Sequence, residues 1–216
     1  MPKDYNEESA PESGKRAGIL NAAMAEFAGG YEKASTDAIV KSAGVSKGLL
    51  FHHFGSKKDL FLYTYDYAIK TVMSEFYDLI NLNEGDILER WRQIALLKMD
   101  LMQKHPAIFN FIAHASFPGS GDVRENIKAA KENLTSEVYP KLFYDIDRSV
   151  FRDNVDVDTA IRVIIFTIEG YANAEADPKK STEGYYGEYG RYLNDLEKYI
   201  KFFKSNFYKG AANEHN

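Results

Sequence analysis

Hydrophobic positions along this chain recur at intervals of three and four almost throughout, while strict alternation is scarce, so the pattern predicts helices and few strands. Ile19, Leu20, Ala23, Met24 and Phe27 fall on one face of a helix predicted from Lys15, and Gly29-Gly30 stops the run. A short second helix follows. Ser35 or Thr36 is its N-cap, Asp37 suits its first turn, and Ala38, Ile39 and Ala43 form its apolar face. Gly44 supplies the left-handed backbone that ends it. Val45 is an apolar residue inside the tight turn, and Ser46 caps a third helix of about two turns, reaching Phe54. Helix, glycine turn and capped helix make a helix-turn-helix over about 35–54, whose small core Ile39, Leu50 and Phe54 close against the first helix.

Gly55 breaks the third helix, and Ser56 with Asp59 three residues on starts a fourth, roughly 56–81, in the manner of a capping box. At 1.5 Å per residue it reaches about 39 Å, more than a three-helix head needs, so it is expected to serve the head and the body that follows. Further helical stripes cover 86–105, 106–116, 122–147 (with Pro140 as a kink), 156–176 and 185–209, and polar loops are predicted at 81–85, 118–121 and 177–184. The fold class is therefore all-α. Residues 1–14 read as a disordered lead-in, 15–60 as the helix-turn-helix head, and 61–216 as a helical body.

The last two helices carry more apolar surface than their own chain readily covers. Pairing with a second copy would bury it in a four-helix bundle, with Ile161, Ile165, Tyr192, Leu196, Tyr199 and Phe203 as the candidate dimer interface; a monomer with a large core is the competing reading.

Composition narrows the function classes. With no cysteine, disulfides, thiolate metal sites and cysteine nucleophiles are excluded. No run of about 18 apolar residues appears and the N-terminus lacks an apolar signal core, so a soluble cytoplasmic protein with no membrane partner is expected. The net charge of −5 conceals a division: residues 13–58 balance at +4, whereas 59–216 sum to −6. A basic segment near the start of an acidic protein points to a local anionic partner.

His52-His53 invites a metal reading, but helical ligands for one ion lie at i and i+4, whereas adjacent side chains diverge by about 100°. No metal and no cofactor are therefore expected. His105, His114 and His215 lie scattered with no nucleophile–base pair, so an enzyme is not expected either. A helix-turn-helix places its second helix in the DNA major groove, with phosphate contacts on its flanks. Lys47 stands at the front of that helix, and Gly48 lets the backbone approach closely. His52 and His53 can donate to phosphate, though a core histidine is the competing reading for either. Lys57 adds a cation beside the next helix start.

The stretch KRAGILNAAMAEFAGGYEKASTDAIVKSAGVSKGLLFHHFGSKKDLF, residues 15–61, resembles the DNA-binding head of TetR-family (TetR/AcrR) transcriptional regulators. The resemblance runs through Phe27…Gly30-Tyr31, Ser35-Thr36, Ala43-Gly44-Val45-Ser46-Lys47-Gly48 and His53-Phe54…Lys57. It implies phosphate or base contacts from Thr36, Lys47, Gly48, His52, His53 and Lys57. Leu49 departs from a frequent threonine. Phe51 departs from a tyrosine that donates to the DNA backbone, although its ring can still meet a sugar or thymine methyl. The resemblance further implies a homodimeric repressor on a palindromic operator, released when a small-molecule effector binds the helical body. Trp91, Phe111, His114, Phe117 and Tyr171 combine apolar bodies with polar tips and are candidate lining for a bulky, apolar effector; plain core is the competing reading. The alternative function is a helix-turn-helix DNA-binding protein without a small-molecule effector, regulated through protein partners.

Overall fold

The computed structural model describes residues 10–116, 121–175 and 184–210. Its helices are α1 (Ala10–Phe27), α2 (Thr36–Ala43), α3 (Lys47–Phe54), α4 (Lys57–Leu79), α5 (Ile87–Lys104), α6 (Pro106–Ala115), α7 (Gly121–Leu142), α8 (Val157–Glu175) and α9 (Gly184–Phe207), with a 3₁₀ turn at Arg148–Val150. Among the described residues there is no strand, and an isolated antiparallel bridge joins Phe151 to Tyr208. The all-α expectation holds.

Two boundaries differ from the sequence pattern. Helix α1 starts at Ala10, so residues 10–14 are helical rather than part of a lead-in. Pro11 falls in the first turn, where a missing N–H breaks no helical bond; residues 1–9 lie outside the described residues. Helix α7 passes through Pro140 but ends at Leu142, five residues short of the expected 147. The proline withholds a hydrogen bond from the last turn, and the chain then turns at Asp145, which has φ 58°.

The chain divides into two compact units. The first comprises residues 1–72 and 105–131. Its core draws Ile19, Ala23 and Phe27 from α1, Ile39 from α2, Leu50 and Phe54 from α3, and Leu60, Phe61 and Ala68 from α4. Ile108, Phe111 and Ala115 of α6 and Val123 and Ile127 of α7 complete it. Phe27, Phe61 and Phe111 form a mutual aromatic cluster, with centroids 5.0 Å apart for Phe27–Phe61 and 5.9 Å for Phe61–Phe111. The helix-turn-helix therefore folds on a core that includes helices from far along the chain.

The second unit comprises residues 73–104 and 132–216. Ile87, Leu88 and Ala95 of α5, Ile164 and Ile168 of α8, and Leu196, Ile200 and Phe203 of α9 are buried in it. So is Arg90, whose guanidinium donates to the carbonyls of Leu142, Tyr144, Leu82 and Glu84. Leu142 closes α7, and Leu82 and Glu84 lie in the loop after α4, so one side chain satisfies carbonyls that helix ends and a tight loop leave over.

Candidate nucleic-acid interface

Local chemistry builds the helix-turn-helix step by step. Ser35 caps α2, its Oγ accepting from the Ala38 N–H at 3.4 Å, while its own N–H donates to Glu26 Oε1 at 2.9 Å. Gly44 ends the helix at φ 66°, ψ 32°, a conformation that a side chain would strain. The Val45 N–H then donates to the Val40 carbonyl at 3.1 Å, which sets the turn. Ser46, in extended backbone, caps α3 by accepting from the Leu49 N–H at 3.2 Å. Leu50, with 0 % exposure, and Phe54 anchor α3 inward.

With those two residues fixed, helical geometry sends the rest of α3 outward. Lys47, Gly48 and His52 are exposed, and Leu49, Phe51 and His53 are half-buried flanks. Gly48 and His52 lie one turn apart on the open side. A Cβ built on Gly48 would meet nothing nearer than Ser46 Oγ at 3.9 Å, so the protein's own packing does not require a glycine there.

Several candidate groups are already held. Lys47 Nζ pairs with Asp37 Oδ1 at 2.8 Å across the helix-turn-helix. Lys57 Nζ donates to the Glu32 carbonyl at 3.3 Å and lies 4.8 Å from the Tyr31 ring centroid. Thr36 is half-buried in the first turn of α2. The two histidines part company: His52 faces solvent, whereas His53 Nε2 is enclosed and has no hydrogen-bond partner. Among the described residues, no cluster of three His, Asp or Glu side chains could hold a metal ion.

A group that sequence reading missed completes this corner. Asp122, in the first turn of α7, accepts from the Tyr31 hydroxyl at 3.0 Å and faces Lys58 Nζ at 3.6 Å. Burial, together with the hydrogen bond and charge of Asp122, pushes the Tyr31 phenol up to about 12. Asp122 lies 91 residues from Tyr31, and no local pattern could have linked them.

The described effector candidates are divided between the two units. Phe111 is core of the first unit, and His114, in the same unit, is exposed with Nδ1 against the Asn110 carbonyl at 2.9 Å. In the second unit Trp91 is buried against Phe143 (5.0 Å) and Tyr139 (6.3 Å), and its indole Nε1 is enclosed with no hydrogen-bond partner. Tyr171 donates to Asp195 at 2.6 Å and stacks on Tyr192 at 5.6 Å. Phe117 lies outside the described residues. Of the dimer candidates, Tyr192, Leu196 and Phe203 are buried in their own unit, and Ile161, Ile165 and Tyr199 are half-buried. Among the described side chains of α8 and α9, the large apolar ones that stand exposed are Val163, Phe166 and Phe202.

No helix among the described residues is long and apolar enough to cross a membrane. The nucleoid occlusion factor SlmA of Vibrio atlanticus is 26% identical over 129 residues, covering 58% of this chain and 65% of that protein. The HTH-type transcriptional activator FasR of Mycolicibacterium smegmatis is 26% identical over 136 residues, 62% of each chain. The chain thus spans just under two thirds of the length of these curated relatives. A crystal structure of a TetR family transcriptional regulator from Chloroflexus aurantiacus has the same fold, with a TM-score of 0.61, 16% identity, and coverage of 95% of this chain and 96% of that one. Residues 19–64, which span the helix-turn-helix, match the family described as bacterial regulatory proteins, tetR family. Residues 19–64 thus carry the helix-turn-helix head of the tetR family of bacterial regulatory proteins, on a chain whose fold is that of TetR family regulators.

Proposed function

We propose that the chain acts in the cytoplasm as a homodimer that binds a palindromic DNA operator and represses transcription until a small molecule releases it. The observation that carries the DNA-binding half is the outward presentation of α3: Ser46 and Leu50 fix the helix, and Lys47, Gly48 and His52 are left exposed on it. In this reading the N-terminal part of α3 enters the major groove, with Lys47 and Gly48 nearest base edges and Leu49 and Phe51 at the groove walls. Thr36, His52, His53 and Lys57 serve as backbone contacts that set register. Lys57 leaves the Glu32 carbonyl for a phosphate, and Lys47 exchanges Asp37 for the duplex. His53 contributes only after its ring turns outward, because its Nε2 is enclosed in the free protein.

The test is selection of bound fragments from a genomic library, followed by affinity measured against salt. Lys57→Ala is expected to weaken binding to every sequence alike and to flatten the slope of log K against log salt by about 0.9 per lost phosphate contact. Lys47→Ala is expected to alter sequence preference as well. Unchanged affinity and preference for Lys47→Ala would remove Lys47 from the interface.

The effector half rests on the regulatory logic that the resemblance implies and on the aromatic content of the second unit, to which the lining candidates Trp91 and Tyr171 belong. A second reading, control through a protein partner without a small molecule, is favoured by the placement of Phe111 and His114 in the first unit and of Trp91 and Tyr171 in the second. The relative named as a nucleoid occlusion factor is compatible with it. A thermal-shift screen separates the two. A bulky apolar compound that raises Tm and lowers operator affinity supports the first, and no hit across a broad library supports the second.

A further inference from the structure

The three-helix head does not stand alone at its DNA-facing corner. Helix α4 opens with Lys57 and Lys58, behind a Ser56 cap whose Oγ accepts from the Asp59 N–H at 3.1 Å. Lys57 rests over Tyr31, and Tyr31 is packed edge-on against Phe61 with centroids 5.0 Å apart. The Tyr31 hydroxyl donates to one oxygen of Asp122 at 3.0 Å, and Lys58 faces the other at 3.6 Å. Val123 and Ile127, on the same helix as Asp122, are buried in the core shared with α1 and α4, which fixes the first turn of α7 in that place. An acidic group from another part of the chain thus occupies one of the two adjacent lysines and anchors the ring beneath the other.

We propose that Asp122 is a positioning residue of the DNA-binding face: its carboxylate occupies Lys58 and anchors the Tyr31 platform of Lys57, so the first turn of α7 sets how many lysines at the start of α4 meet phosphate. The inference rests on the DNA-binding reading and adds a control to it. When Lys58 moves from Asp122 to a phosphate it exchanges one anion for another. The cation released from DNA is then offset by one recruited to the vacated carboxylate, and the net ion release is smaller than a free lysine would give. A shift of α7 away from Tyr31 would release Lys58 and loosen the ring beneath Lys57.

The experiment measures binding of the full chain to a labelled mixed-sequence duplex of about three helical turns, by fluorescence anisotropy over a salt series. Asp122→Asn keeps an oxygen for the Tyr31 hydroxyl and removes the charge opposite Lys58. It is expected to tighten binding severalfold at low salt and to steepen the slope by about 0.9 for each head on the duplex. Tyr31→Phe keeps the ring under Lys57 but removes the hydroxyl that holds Asp122 in place opposite Lys58, and is expected to shift the slope in the same direction by less. Glu125→Gln removes an equal charge from the next position but two on α7, where it is exposed, and is expected to leave the slope unchanged. Tm is followed in parallel to confirm folding. A slope for Asp122→Asn that equals or falls below that of the parent chain overturns the inference, as does an equal change from Glu125→Gln. Failure of the parent chain to bind the duplex in a salt-dependent way would instead overturn the DNA-binding reading itself.

Discussion

Gly48 is the residue on which local stability and the proposed function pull apart. It sits inside a helix, where glycine costs about 0.5–1 kcal/mol relative to alanine, and a Cβ there would meet only Ser46 Oγ at 3.9 Å. Gly48→Ala is therefore expected to stabilise the free protein, raising Tm by about 1–4 °C, and to weaken DNA binding where the added methyl meets the duplex. Calorimetry and anisotropy on the same preparation check both halves; a stabilised variant with unchanged affinity would show that no close approach occurs at this position. Gly44, Ser46 and Gly48 can be read from sequence because cap and turn chemistry depends on residues within four positions. His53 cannot. Adjacent helical side chains diverge by about 100°, and which of the two turns inward depends on Phe54 and the core beneath α3, so the structure separates a solvent-facing His52 from a half-buried His53.

At the scale of elements, periodicity locates the helices well and their ends less well, because ends are decided by partners remote in sequence. The termination of α7 is such a case. Pro140 weakens its last turn, but the carbonyls of Leu142 and Tyr144 are taken by Arg90, which lies more than 50 positions earlier. Arg90 read as one more polar residue of α5, yet it is 1 % exposed and holds the loop after α4 and the end of α7 together. Arg90→Met keeps much of the volume and leaves four carbonyls to find other donors. At about 1–3 kcal/mol for each group left unsatisfied, the variant is expected to lose more than about 3 kcal/mol, read as a lower urea midpoint. A second tie joins α5 to α9. Arg92 bonds Glu197 through Nε at 2.6 Å and through its Nη2 at 2.8 Å, and Lys204 reaches Glu89 at 2.6 Å. Burial alone would raise the Glu89 carboxyl, but Arg92 and Lys204 outweigh it and hold it below the usual glutamate range. A depressed carboxylate contributes stability above its unfolded pKa and loses it as pH falls through the folded value. Glu89→Gln is thus expected to lower Tm by a few degrees at pH 7, with the difference from the parent shrinking below about pH 4.5.

At the scale of the whole molecule the open question is what covers α8 and α9. Sequence periodicity identifies both helices as too apolar to stand alone, and α8 and α9 do bury one stripe each within their own unit. Which stripe remains open could not be read from periodicity, since a helix apolar over most of its circumference offers several equivalent faces. In the structure Tyr192, Leu196 and Phe203 turn inward, while Phe166 is 70 % and Phe202 58 % exposed. Two large aromatic rings left in water on neighbouring terminal helices match the proposal of a homodimer, because a second copy related by a two-fold axis would cover each pair with its own. A palindromic operator then engages two heads at once, and the second engagement proceeds at an effective concentration set by the dimer rather than by free protein. Phe166→Glu combined with Phe202→Glu places charges on this face without touching the inward stripe, so folding should survive. The double variant is expected to sediment as a monomer at concentrations where the parent is a dimer, and to bind an operator carrying two half-sites about 10²–10⁴-fold more weakly. Its affinity for a single half-site should match that of the parent's individual head. If the double variant stays dimeric, the interface lies elsewhere on the molecule; if it becomes monomeric yet keeps full operator affinity, recognition needs only one head, and the palindromic reading fails with it.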